Sequence, residues 1–263
     1  GDGDAGNDIN VTSGTGSASL TGTGTAGNDI KIDASAGTDA LLGDGDAGND
    51  INVTSGTGSA KLTGTGTAGN DIKIDASTGT DAVLGTGTAG NDVTLLAKND
   101  ATATSATATN GTVMLTATNG IVSLGTGTAG TDVLVTASAG NATVTSATAT
   151  AGQVWVQALS GIADVGAASA GTDVRIDGGT ALLGDGAAGR DITLTATNGS
   201  AKLTDLGTAG HDIRIDASAG TDALLVIGTA GHDVLVTAGS GDATVTSATA
   251  TAGQVWVQAL SGI

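Results

Sequence analysis

The stretch Gly43-Asp44-Gly45-Asp46-Ala47-Gly48-Asn49-Asp50 sets three carboxylates and an amide on a glycine-rich segment, and Asp2-Gly3-Asp4 with Asn7 and Asp8 repeats the pattern. Short oxygen-bearing side chains alternating with glycine are the donors that a hard cation such as calcium (Ca2+) takes, in shells of about six to eight oxygens. Asp2, Asp4, Asp8, Asp44, Asp46, Asn49 and Asp50 are therefore candidate metal ligands, with backbone carbonyls completing the shell. All 26 acidic residues are aspartate, against only eight lysines and arginines, so short carboxylates held near the backbone are preferred and their charge needs neutralising.

Asp8, Asp29, Asp50, Asp71 and Asp92 recur at one spacing. Stacked about 4.8 Å apart, such charges repel by about 1 kcal/mol per neighbouring pair in water. The competing reading is a solvated or capping aspartate beside a ladder of Asn7, Asn28, Asn49, Asn70 and Asn91. In later copies Arg190, His211 and His232 take the asparagine position, where a side-chain cation stands in for a bound one.

Two further patterns carry chemistry. Thr23/Thr25, Thr65/Thr67, Thr86/Thr88, Thr107/Thr109, Thr126/Thr128 and Thr148/Thr150 give Thr-x-Thr pairs, interrupted by Asp44/Asp46 and by the Ala/Ser residues near 167–169. A flat array of such pairs resembles ice-binding solenoids; β-branched threonine is also simply a good outward strand residue. Trp155 and Trp256 stand in matching contexts, VWVQA, 101 residues apart, and their alternation with valine points both rings outward as candidate surface contacts. No Ser/His/Asp set and no thiol is present, and both histidines fall in one column, so an enzyme is not expected.

These residues are positioned by a repeat. The glycine of an Ala-Gly-Asn-Asp-Ile motif and its variants stands at Gly6, Gly27, Gly48, Gly69, Gly90, Gly111, Gly130, Gly152, Gly171, Gly189, Gly210, Gly231 and Gly253, at steps of 18–22 residues. A fixed period of this length signals a solenoid. Asp29-Ile30-Lys31-Ile32-Asp33-Ala34 alternates with period two, which predicts a half-buried strand with Ile30, Ile32 and Ala34 inward. Ala40 and Leu42 belong to a second strand, and Gly43–Asp46 leads through a third short edge to the next motif. Repeats this short, rich in Thr and Gly, exclude helical solenoids. The expectation is an all-β, right-handed parallel β-helix (β-solenoid) of about thirteen rungs of 18–22 residues, one segment over residues 1–263. Residues 1–42 nearly repeat as 43–84, and 129–162 as 230–263.

The net charge of −18 argues against nucleic-acid and anionic-membrane partners, and no stretch is long and apolar enough to span a membrane. The absence of cysteine fits export without disulfides. The pattern runs to both ends of the sequence, so the segment is expected to belong to a longer repetitive protein, its end rungs meeting further rungs or copies of itself end to end.

The pattern AGxDhxhxA…G…hxLxGxxxAGxDh, with h apolar, resembles the repeats of filamentous-haemagglutinin-type bacterial adhesins over essentially the whole chain. That resemblance implies a secreted β-helical fibre at the bacterial cell surface, whose partners are adjacent fibres or cell-surface ligands and whose role is attachment, as in a biofilm. The nonapeptide GGxGxDxUx of calcium-binding RTX repeats is not present. Ice binding through the threonines is the alternative; a β-helical polysaccharide lyase is the third reading.

Overall fold

A computed structural model describes residues 1–261. They contain strands, turns and bends and no helix, and every strand pairing is parallel: the chain is a β-solenoid of about twelve turns. The count is one below the expected thirteen because thirteen motif corners enclose twelve complete intervals. The chain divides into two compact units, Gly1–Gly130 and Thr131–Ile263.

One turn of the first unit shows the construction. The strand Ile30–Ala34 buries Ile30, Ile32 and Ala34 fully and turns Lys31 outward. It lies in register between Ile9–Thr12 and Ile51–Ser55, with Ile30 opposite Ile9 and Ile51. After a corner, Ala40–Ala47 buries Ala40 and Leu42, and then its alternation shifts: Asp44 faces out, Gly45 and Ala47 face in. That shift marks the bend between the second and third edges. The isoleucines at the expected inward positions, Ile51, Ile72 and Ile74 among them, are likewise fully buried, as are Leu42 and Val53. Each such side chain contributes about 1.5–3 kcal/mol of hydrophobic stabilisation, which has to carry a fold with almost no aromatic core.

The inward face at Gly45 is matched in volume. A Cβ there would lie 2.9 Å from Leu42 Cδ2 and 3.2 Å from Ile51 Cδ1. Gly66 is pressed in the same way by Leu62, and Gly87 by Leu84. Where the glycine becomes alanine the upstream leucine shrinks: buried Ala106 follows Ala103, Ala147 follows Val144, and Ala168 follows Val165.

The motif glycines have another cause. Among the described residues none takes a positive φ, so left-handed turns do not explain them. A Cβ at Gly48 would overlap the carbonyl oxygen of Gly27, and one at Gly69 that of Gly48. In these turns glycine leaves room for the carbonyl of the turn before; where the corner is one residue longer, Thr109 takes the place after Ala108 and its N–H donates to the Ala89 carbonyl.

The second unit follows the same plan with one variation. Between Gly171 and Gly189, the shortest step, Gly178-Gly179-Thr180 replaces a longer corner and the backbone stays extended through Val174–Ala188. Its neighbour Val154–Ala170 also runs through, and a register shift between Ala158 and Ile162 absorbs the length difference.

Candidate functional site

The acidic columns are part of the ladder. At the motif corner the Asn49 N–H donates to the Asn28 carbonyl of the preceding turn (2.8 Å), while the Ile51 N–H donates to the Asp71 carbonyl of the following one (2.9 Å). Between them the Asp50 N–H points back, and the Asp29 carboxylate accepts it at 3.2 Å. Asp71 N–H to Asp50, Asp92 N–H to Asp71 and Thr112 N–H to Asp92 continue the series at 3.2, 3.0 and 2.7 Å. The second corner repeats the device: Asp39 accepts the Ser59 N–H and Asp100 the Ile121 N–H, both at 2.8 Å. A hydrogen bond to a charged acceptor contributes about 1.5–3 kcal/mol, against about 1 kcal/mol of repulsion between neighbouring charges in water, so the ladder offsets its own repulsion.

The candidate calcium ligands separate by this criterion. Asp2 accepts the Thr23 N–H (3.0 Å), Asp8 the Asp29 N–H (3.4 Å) and Asp44 the Thr65 N–H (2.7 Å). Asp4 and Asp46 project outward on extended strand, with Thr25 in register beside both and Thr67 on the far side of Asp46. Gly43–Asp46 is thus strand rather than turn, because inward Gly45 continues the core face. Asn49 lies on the exposed corner and joins the backbone ladder through its own N–H. Two turns separate the Asp4 strand from the Asp46 strand, with Thr25 between them. Asp44, Asp46 and Asp50 are not gathered at one point: among the described residues the one set of three His, Cys, Asp or Glu ligand atoms lying mutually within 4.8 Å is His211, Asp212 and His232.

A second class of aspartate lies mid-strand beside a cation. Asp33 pairs with Lys31 (2.9 Å), Asp75 with Lys73 (3.0 Å), Asp177 with Arg175 and Asp216 with Arg214. The Ser35 hydroxyl and backbone N–H, together with Lys31, hold Asp33 down at about 2. Burial works against the same shift at Asp75, but Ser77 and Lys73 outweigh it and the group is lowered. Arg214 and Ser218 do this for Asp216. Lys31 sits between Asn10 and Asn52, so the cations alternate with neutral residues along the stack.

Trp155 is half-buried rather than free. Its Nε1 donates to Asp177 Oδ2 at 2.9 Å and the Arg175 guanidinium lies 5.1 Å from the ring centroid, both groups coming from the next turn. Trp256 is 50 % exposed, as are Val255 and Val257 to 45 % each, because no later strand of the described chain covers Val255–Ala259. Matching sequence therefore gives the two rings different surroundings.

The threonine pairs are in register through four turns of the first unit. Thr65 and Thr67 stand beside Thr86 and Thr88, then Ser105 and Thr107, then Thr126 and Thr128. Ser105/Thr107, not the expected Thr107/Thr109, is the aligned pair, since Thr109 lies beyond Ala108 where the strand ends. Thr150 falls past Ala149 for the same reason. In the second unit the corresponding strand positions are Ser146, Ala167 and Asp185, and then Leu206 and Ile227.

No protein family, curated protein or solved structure matches the chain.

Proposed function

We propose that this chain is a structural and adhesive segment of a bacterial cell-surface or secreted filament, mediating attachment between cells or to surfaces. The observation that carries the reading is the ladder at the motif corners, where from Asp8 to Thr112, and again from Asp173 to Gln254, backbone N–H groups and aspartate carboxylates tie successive turns together. Such bonding makes a stiff scaffold on which outward side chains repeat at each turn, and a repeated surface suits multivalent contact, where weak sites add through effective concentration. The resemblance to filamentous-haemagglutinin-type repeats supports the same reading and the extracellular location it implies. Beads coated with the chain should adhere to cells or abiotic surfaces and aggregate one another; no adhesion above that of uncoated beads rejects the proposal.

Calcium belongs to this reading as a regulator of contacts between filaments. Asp44 and Asp46 face outward side by side, and an ion bound there would fill its shell with water or with oxygens of a second filament. Calcium should increase bead aggregation, and the Asp44→Asn/Asp46→Asn pair should lose that response while Asp100→Asn keeps it. Equal aggregation in calcium and in chelator removes calcium from the proposal.

The in-register hydroxyl pairs from Thr65 to Thr128 favour a second reading, ice binding. Thermal hysteresis in a freezing assay, abolished by Thr86→Lys, would establish it; freezing behaviour equal to that of an inert protein would dismiss it.

A further inference from the structure

We propose that His211, Asp212 and His232 form a binding site for a divalent transition-metal ion of the zinc, nickel and copper class. The two histidines occupy the motif asparagine's place in successive turns, and their backbones are fixed by the ladder. The His211 N–H donates to the Arg190 carbonyl and the His232 N–H to the His211 carbonyl, each at 2.8 Å. That register holds the imidazoles parallel, 5° apart in plane, with centroids separated by 5.0 Å.

Between them stands Asp212. Its Oδ2 is 3.1 Å from His211 Nδ1 and its Oδ1 is 3.4 Å from His232 Nδ1. One ring nitrogen of each histidine and an Asp212 oxygen all lie within 4.8 Å of one another. Ligands bound tetrahedrally at about 2.0–2.1 Å are about 3.3 Å apart, so the nitrogen–oxygen separations already suit a metal; the exposed imidazoles need only tilt together. The carboxylate is held from behind, because Oδ1 accepts the Asp233 N–H at 2.9 Å, the kind of support that orients a metal ligand. Asp191, 3.4 Å from His211 Nδ1, and Asp233, 3.1 Å from His232 Nδ1, add negative charge on either side. Both histidines are more than 45 % exposed, so an ion reaches them from solvent.

The donor set selects the ion. Imidazole nitrogen with one carboxylate suits zinc, nickel and copper, whereas calcium requires more oxygens than this corner supplies. The column itself shows that a cation is accommodated here, since Arg190, one turn earlier, pairs with Asp173 and Asp191.

The test is titration of the tag-free chain with zinc chloride by calorimetry, with calcium chloride as the comparison. One zinc per chain is expected, with a rise in melting temperature that calcium does not reproduce. His211→Asn and His232→Asn place the residue already present at Asn49 and Asn70 and should fold, as circular dichroism would report; each should weaken zinc binding by about 10–100-fold. Asn49→His with Asn70→His rebuilds the arrangement around Asp50 and should raise the stoichiometry to two. Absence of zinc binding in the parent chain, unchanged affinity in the His211→Asn/His232→Asn pair, or a stoichiometry of one in the rebuilt chain overturns the assignment.

Discussion

The carboxylate of Asp50 accepts the backbone N–H of Asp71, one turn further on, at 3.2 Å. The bond sits where the N–H direction changes along the corner, so the side chain replaces a carbonyl that the backbone cannot supply. Asp50→Ala should cost about 1–3 kcal/mol by leaving that N–H without its partner. Asp50→Asn should cost much less, because an amide oxygen already does this work where Asn141 accepts the Ile162 N–H at 2.9 Å. Denaturant unfolding of both variants decides the matter; equal losses would refute a hydrogen-bonding role.

Two glycines should fail for different reasons. Gly69→Ala drives a methyl into the Gly48 carbonyl, which the ladder holds in place, and should break the stacking of that turn. Gly45→Ala meets side-chain ends alone, those of Leu42, Ile51 and Ile30, and should cost about 1–3 kcal/mol. Leu42→Val should relieve it, giving a coupling of about 0.5–3 kcal/mol in a double-mutant cycle. Additive effects in that cycle would disprove the volume match, and a Gly69→Ala chain as stable as the parent would disprove the axial contact.

Acid should act first on the mid-strand aspartates. Asp33 is lowered from the ordinary 3.8 to about 2, and Asp75 and Asp216 are lowered as well. A carboxylate lowered by folding stabilises the fold above its unfolded value, and that contribution disappears as pH falls through the folded one. Melting temperature should therefore drop between about pH 4 and pH 2. Ser35→Ala and Lys31→Ala should each flatten the drop; variants that track the parent over that range would show these contacts to be immaterial.

Trp155 and Trp256 should differ spectroscopically. With Arg175 over its ring and Asp177 on its Nε1, Trp155 should be shielded from iodide and acrylamide, while Trp256 should be quenched readily. Measured in a Trp256→Leu background, Arg175→Ala should open Trp155 to quencher. Equal quenching of the two rings would contradict the packing.

Periodicity alone made the fold legible. Ile30, Ile32 and Leu42 inward and Lys31 outward follow from alternation, and the bend after Leu42 is visible as its failure. The role of the aspartates was less accessible. The lack of glutamate points to short side chains held near the backbone, and the groups that Asp29 and Asp44 reach are N–H donors of the adjoining turn, which only the register reveals. Trp155 lies on the outward side, as alternation predicts, but the residues that pack on it, Arg175 and Asp177, lie 20 and 22 positions later in the next turn, outside the local motif. His211 and His232 are the opposite case: their 21-residue spacing places them in one column, yet the carboxylate between their ring nitrogens follows only from the side-chain geometry of the fold.

The match between Leu42 and Gly45 bears on how such a gene can lengthen or shorten. Both members lie in the same strand, Ala40–Ala47, so a turn carries the closest part of this match itself, and the other close contact, Ile51, recurs in register as Ile72 and Val93. Unequal recombination that inserts or removes whole turns leaves the interior filled at every junction. Excision of residues 43–84 illustrates this: Leu42 would join Gly85-Thr86-Gly87 and restore the same leucine-to-glycine relation. The shortened chain should fold with the parent's strand signature in circular dichroism, and an unfolded product would show that turns are not independent units of inheritance.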